Sequence, residues 1–195
     1  MNGLERKHDF HTVYDAQAMF RLILSATANP SREVNIQPFA NKLYGPFPHL
    51  LAVAMALLDN EVSHCVRENS DLAEGIAALT LSPKEALKAA DFVFVTDQEM
   101  LEDAVHRAKC GTLRDPHRSA TLIIWNHSKE KCALWLTGPG IAGAVTWHTT
   151  KLARLALQAR EAQGFEYPEG IDFLFISESG MLAAIPRLVR WEDAV

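Results

Sequence analysis

The run Phe92-Val93-Phe94-Val95 constrains the fold more than any other feature of the sequence. An apolar, β-branched run of this kind is typical of a strand that other layers cover, not of an exposed strand. The capping-box sequence over 82–85 predicts a helix over 83–89 before this strand. A second helix is predicted after it, beginning at Asp97 and ended by Gly111. This helix, strand, helix order favours an α/β fold.

An amphipathic helix is predicted near the start of the chain, with Asp15 as its N-cap and Asn29-Pro30 as its end. The residues of its inner stripe recur at helical spacing, and they are Ala16, Met19, Phe20, Ile23 and either Ala26 or Thr27. Gln17 and Arg21 are predicted to lie on the opposite, polar face. That face is either simply solvated or presents an arginine to an anion.

The remaining pattern indicates one domain with a mixed sheet and helices packed on it. Helices are predicted over 50–58, 71–79 and 149–163, and strands over 62–66, 120–125, 132–136, 171–176 and 181–185. The polar turn over 127–130 predicts that the strands over 120–125 and 132–136 form a hairpin. Since the sequence shows neither repeats nor a linker, we expect a polar tail over 1–12 and one α/β domain over 13–195.

Composition excludes several classes of function. The 24 acidic and 19 basic residues give a net charge of −5, which argues against nucleic-acid binding. The longest apolar stretch, 50–58, is too short to cross a bilayer, and no apolar segment of a signal peptide follows the charged N-terminus. The three widely spaced cysteines fit neither a disulfide framework nor a Cys-x-x-Cys site. We therefore expect a cytoplasmic protein with reduced thiols.

Motif searches give only weak signals for chemistry. His8 and His11 have helical spacing but no third ligand of matching spacing, so no metal site is predicted. The sequence Gly138-Pro139-Gly140-Ile141-Ala142-Gly143 matches the glycine pattern of a dinucleotide loop, but the helix that such a loop requires does not begin within it. A tight loop is favoured, and an anion contact from its amides stays open. Arg187, with Arg190, is either a ligand for a carboxylate or phosphate or an ordinary surface cation beside a strand end.

Short segments in a fixed order resemble a known family, the H subunit of the bacterial carbon-phosphorus lyase core complex. The resemblance extends from about Asp15 to Arg187. The segments that carry it are Asp15-Ala16-Gln17, Phe20-Arg21, Asn29-Pro30, Leu58-Asp59-Asn60, Gly111-Thr112, Ala120-Thr121-Leu122, Leu136-Thr137-Gly138, Gly140-Ile141, Tyr167-Pro168, Gly170-Ile171-Asp172 and Ala184-Ile185-Pro186-Arg187.

The resemblance implies a role in phosphonate catabolism. A member of this family acts with the G, I and L subunits to transfer the ribose triphosphate of ATP to an alkylphosphonate, which yields ribose 1-phosphonate 5-triphosphate. The resemblance also implies a homodimer that joins the G, I and J subunits. Composition, not the resemblance, is why neither nucleic acid nor a membrane is expected as a partner. The expected fold is similar to a domain of pyridoxal-phosphate-dependent transferases that lacks the cofactor, so no cofactor is predicted.

The resemblance supplies no catalytic residues. The candidate ligand or interface residues are those in the matching segments, namely Asp15, Gln17, Arg21, Asp59, Gly138, Gly140, Asp172 and Arg187. Asp172 is also a candidate for an ion pair with an arginine inside the fold. Three hypotheses follow. The first is a non-catalytic or co-catalytic subunit with an exposed apolar patch, and the second is a self-contained nucleotide- or phosphonate-binding α/β protein. The third is a small α/β binding protein unrelated to phosphonates.

Overall fold

The computed structural model describes residues 8–194, and these form the expected α/β fold. The helices are α1 (Tyr14–Ala28), α2 (Gln37–Ala40), α3 (Pro48–Leu57), α4 (Ser70–Leu79), α5 (Leu101–Arg107) and α6 (Lys151–Glu161). The strands are β1 (Val34–Asn35), β2 (His64–Arg67), β3 (Phe92–Val95), β4 (Thr121–Asn126), β5 (Lys131–Thr137), β6 (Ala144–Thr150), β7 (Asp172–Ser177), β8 (Met181–Ile185) and β9 (Arg190–Asp193). Among these residues, no helix has both the length and the apolar character needed to cross a membrane.

A six-stranded mixed sheet with the order β1-β8-β7-β4-β3-β2 forms the centre of the fold. Strands β2, β3, β4 and β7 are parallel, whereas β8 is antiparallel to both β7 and β1. Val93 and Phe94 are completely buried on opposite faces of β3, in two different hydrophobic clusters. The prediction that 92–95 is a covered strand is therefore confirmed.

Helices cover both faces of this sheet. On one face α1, α3 and α4 pack against alternate residues such as Phe94, Ile123 and Leu174. On the other face α5 and α6 pack against Val93 and Leu122. A second sheet with the order β6-β5-β9 contributes its inner side chains to this latter cluster.

The predicted hairpin between the strands over 120–125 and 132–136 is wrong, although both strands exist. Strand β4 lies in the six-stranded sheet between β3 and β7, and β5 lies in the three-stranded sheet between β6 and β9. Because β4 has a parallel neighbour along each edge, it has no free edge for β5. The polar turn at 127–130 instead carries the chain from one sheet to the other.

The predicted helix over 83–89 is also wrong. The Ser82 hydroxyl donates to the carbonyl oxygen of Val62 at 2.7 Å and lies 2.9 Å from Nδ1 of His64, so it does not cap a helix. Lys84 forms a parallel bridge with His64, which extends the sheet beyond β2. A local capping signal was therefore overridden by contacts with a residue some 20 positions away.

The N-cap residue of α1 is not the one that the sequence predicts. Val13, not Asp15, occupies the N-cap position, and Asp15 lies in the first turn. The Asp15 carboxylate accepts the backbone N–H of His11 at 2.8 Å and pairs with Lys42 at 2.7 Å. Of the polar tail predicted over 1–12, residues 1–7 lie outside the described residues, and Phe10 is buried.

Candidate functional site

The outward side of α1 carries two of the candidate residues, Gln17 and Arg21, both exposed as predicted. Met19, Ile23 and Ala26 face the sheet and are buried. Phe20, which the sequence pattern assigned to the buried stripe, is 47% exposed instead. We define the outer face of α1 as the five exposed residues Tyr14, Gln17, Phe20, Arg21 and Leu24.

This outer face combines apolar area with one cation. Tyr14 is 72% exposed and Leu24 is 56% exposed. Within residues 8–194, Arg21 takes part in no ion pair or side-chain hydrogen bond. Exposed aromatic and aliphatic side chains around an arginine have the composition of the central part of a protein–protein interface.

Asp172 and Arg187 are brought together at the amino edge of the parallel strands. One oxygen of the Asp172 carboxylate accepts the Arg187 backbone N–H at 2.7 Å and its Nε–H at 3.2 Å, and the other oxygen accepts from Nη2. Nη1 of Arg187 donates to the carbonyl oxygen of Pro116. This confirms the expected ion pair of Asp172. The pair fixes the end of β8 against the start of β7, with most of the guanidinium donors engaged.

Gly138 and Gly140 pack closely against backbone, which explains the residue type at both positions. A Cβ at Gly138 would lie 2.9 Å from the carbonyl oxygen of Leu188, and one at Gly140 would lie 2.6 Å from that of Ala28. Both glycines also have positive φ. The turn therefore sits against the end of α1 and the segment after β8, so Gly138, Gly140, Asp172 and Arg187 belong to one region.

A surface cleft of about 740 Å³ lies in this region, lined by Gly138, Arg160, Tyr167, Arg187 and Trp191 among others. Its charged lining residues balance, with Arg160, Arg187 and Arg190 against Glu161, Glu169 and Glu192. The cleft lies at the amino edge of the sheet, whereas open parallel sheets bind ligands at the carboxyl edge. This location favours a structural role for the Asp172–Arg187 pair.

Arg160 is a buried cation that the motif search missed. It is only 6% exposed and donates to four backbone carbonyl oxygens, at distances of 2.9 to 3.4 Å. Burial lowers its pKa to about 10, so it stays protonated at neutral pH. The signal was present in the sequence, because Arg160 continues the row of Leu152 and Ala156 at a spacing of four residues.

The other candidates lie elsewhere. Asp59 is exposed just after α3, where its carboxylate accepts the backbone N–H of Glu61 at 2.8 Å. His8 and His11 each accept a backbone N–H, from Tyr44 and from Val13 respectively. Across residues 8–194, no group of three or more His, Cys, Asp or Glu side chains is arranged to hold a metal ion.

Comparison with known proteins supplies the family. A search of curated proteins finds no match. A family model described as "Bacterial phosphonate metabolism protein (PhnH)" matches residues 8–192, and this match extends beyond both ends of the resemblance seen in the short segments. Because the match covers nearly the whole chain, this protein belongs to the PhnH family of bacterial phosphonate metabolism proteins.

Proposed function

We propose that this chain is a subunit of the carbon-phosphorus lyase system. In this proposal it acts with the G, I and L subunits to transfer the ribose triphosphate of ATP to an alkylphosphonate, with adenine as the leaving group. The observation that carries the proposal is the family match over residues 8–192. Stable association with the G, I and J subunits, homodimerisation and a cytoplasmic location belong to the same proposal.

The outer face of α1 is the surface that we assign to a G, I or J subunit. Its apolar side chains, with Phe20 47% and Leu24 56% exposed, supply area for burial, and Arg21 supplies a cation without an acidic partner among residues 8–194. A partner that presents an apolar groove with a carboxylate complements this face. A second copy docked on the same face fits less well, because a two-fold interface brings one surface against itself and the outer face of α1 contains no carboxylate for Arg21.

Other candidate residues help to hold the two ends of α1 in position. The Asp172–Arg187 pair fixes the strands behind the turn, and Gly140 lets that turn pack on the end of α1. We assign these residues a positioning role, since their polar groups are largely used within the fold. Asp15 fixes the other end of α1 through Lys42.

Co-purification tests the proposed interface. The tagged chain is co-expressed with the G, I and J subunits of the same organism, and the eluate is analysed by native mass spectrometry. We expect stoichiometric recovery with the wild-type chain and loss of the partners with the double variant Phe20→Asp, Leu24→Asp. Leu155→Asp is the matched control, because Leu155 is 42% exposed on α6, on the opposite face of the sheet.

Two results would count against the proposal. Undiminished recovery of the partners by the double variant would remove the outer face of α1 as the interface. A wild-type chain that elutes without any partner and binds ATP would replace the subunit role with the alternative, a self-contained nucleotide- or phosphonate-binding protein. Circular dichroism of each variant checks that the fold is retained.

A further inference from the structure

A second cleft lies at the carboxyl edge of the parallel strands, at the opposite end of β7 from the Asp172–Arg187 pair. Strands β4 and β7 end side by side at Asn126 and Ser177, which are paired in register. The cleft has a volume of about 540 Å³, and Ser177 and Ser179 contribute to its lining. Open α/β sheets bind their ligands in crevices outside this edge. The location alone therefore makes the cleft a candidate ligand site.

The side of the cleft formed by the three-stranded sheet provides two nitrogen-bearing side chains, Lys131 and His148. In the antiparallel register of β5 and β6, Lys131 is opposite Thr150 and Ala133 is opposite His148. Lys131 and His148 are therefore diagonal neighbours on one face of this sheet. Among residues 8–194, neither side chain takes part in an ion pair or a side-chain hydrogen bond.

The other donors are hydroxyl groups. The hydroxyl oxygens of Ser177 and Ser179 are 2.9 Å apart in the turn between β7 and β8. Thr149 also lines the cleft, and α6 begins two residues later at Lys151. The first turn of α6 is occupied by protein groups, since the Thr150 hydroxyl accepts the Ala153 N–H and Lys151 pairs with Glu130, so the candidate donors of the cleft are its side chains. A lysine, an imidazole and two hydroxyls on adjoining walls match the acceptor oxygens of a tetrahedral anion.

One lining residue opposes an anion. Glu33 also lines the cleft, and its carboxylate repels negative charge. The repulsion weakens binding, which gives the site a second testable feature, because removal of this charge has the opposite effect to removal of Lys131.

We propose that this cleft binds a tetrahedral oxyanion, the phosphoryl or phosphonyl group of a small ligand, through Lys131, His148, Ser177 and Ser179. The proposal is independent of the interface on α1. A chain that fails to join the other subunits but binds phosphate refutes only the subunit role. A chain that joins them but binds no oxyanion refutes only this site.

Isothermal titration of the purified full chain with inorganic phosphate tests the proposal. We expect saturable one-site binding, and a loss of about tenfold or more in affinity for Lys131→Met, the scale of one charge-assisted hydrogen bond. Glu33→Gln is expected to bind more tightly than the wild type. Lys129→Met is the matched control, because Lys129 is an exposed lysine in the preceding turn that does not line the cleft.

Parallel titrations with methylphosphonate and with ATP identify the source of the oxyanion. Preference for methylphosphonate indicates a phosphonate site, and preference for ATP indicates a site for its terminal phosphate. The proposal is overturned if no ligand binds saturably, or if Lys129→Met weakens binding as much as Lys131→Met. Thermal melts of all variants separate loss of binding from loss of fold.

Discussion

Arg160 provides the most direct test of how the amino edge of the sheet is held together. Its Nη2 donates to the carbonyl oxygen of Val189 at 2.9 Å. Its Nη1 is shared among the carbonyl oxygens of Pro186, Ile185 and Ile171 at 3.2 to 3.4 Å. One guanidinium thus connects α6 with the start of β7 and with the end of β8 and the segment after it. We expect Arg160→Met, which keeps the apolar stem and removes the donors, to destabilise the fold.

The expected loss in the free energy of unfolding for Arg160→Met follows from these contacts. The Nη2 bond and the shared Nη1 contacts together amount to about two charge-assisted hydrogen bonds, worth about 1.5 to 3 kcal/mol each. Part of this sum is offset because Met avoids the cost of removing a charge from water. The net loss in the free energy of unfolding is therefore about 3 kcal/mol.

Urea unfolding followed by tryptophan fluorescence measures this loss, since the chain has four tryptophans. Arg154→Met is the matched control on the same helix. Arg154 pairs with Asp193 at 2.6 and 2.7 Å but at the surface, where solvent screens the pair, so its loss is expected to lower the free energy of unfolding much less than the loss of Arg160. Equal unfolding free energies for Arg160→Met and Arg154→Met would refute the argument that the buried contacts stabilise this edge.

Two further predictions concern the turn at Gly140 and the carboxylate of Asp91. Gly140→Ala is expected to lower the free energy of unfolding by about 2 kcal/mol or more, whereas Gly143→Ala is expected to lower it by only about 1 kcal/mol. Both glycines have positive φ, but only a Cβ at Gly140 would meet backbone, 2.6 Å from the carbonyl oxygen of Ala28. Equal losses for the two variants would contradict this reasoning. Burial tends to raise the pKa of Asp91, but hydrogen bonds from Lys109 and Ser63 outweigh burial and hold it below its ordinary 3.8. The stability that this carboxylate contributes is therefore present above the ordinary pKa of 3.8 and is lost as the pH falls through the lower folded-state pKa. Asp91→Asn should consequently lose less stability on acidification than the wild type. Identical acid titrations of unfolding for the two proteins would contradict the prediction.

Local patterns predicted the fold where neighbouring residues decide the structure. The covered strand at 92–95 and the helix up to Ala28 follow from apolar content and period alone. The predicted hairpin failed because the partner of β4 is chosen by strands distant in sequence, which occupy both of its edges. The predicted helix over 83–89 failed for a related reason, since Ser82 binds Val62 instead of its own following turn.

The candidate sites likewise divide into features that neighbouring residues predict and features that depend on residues distant in sequence. The exposure of Gln17 and Arg21 followed from the helical period, and the ion pair of Asp172 was expected although its partner was not fixed. Lys131 and His148 could not be linked from sequence, because only the register of β5 and β6 makes them neighbours.

Reconstitution of the transfer reaction tests the proposed function most directly. The G, I and L subunits are incubated with ATP and methylphosphonate, with and without this chain, and the release of adenine is measured by chromatography alongside ³¹P spectra of the product. We predict adenine and ribose 1-phosphonate 5-triphosphate only when this chain is present. Equal release of adenine without it would contradict the proposal that the chain is a required subunit of the transfer.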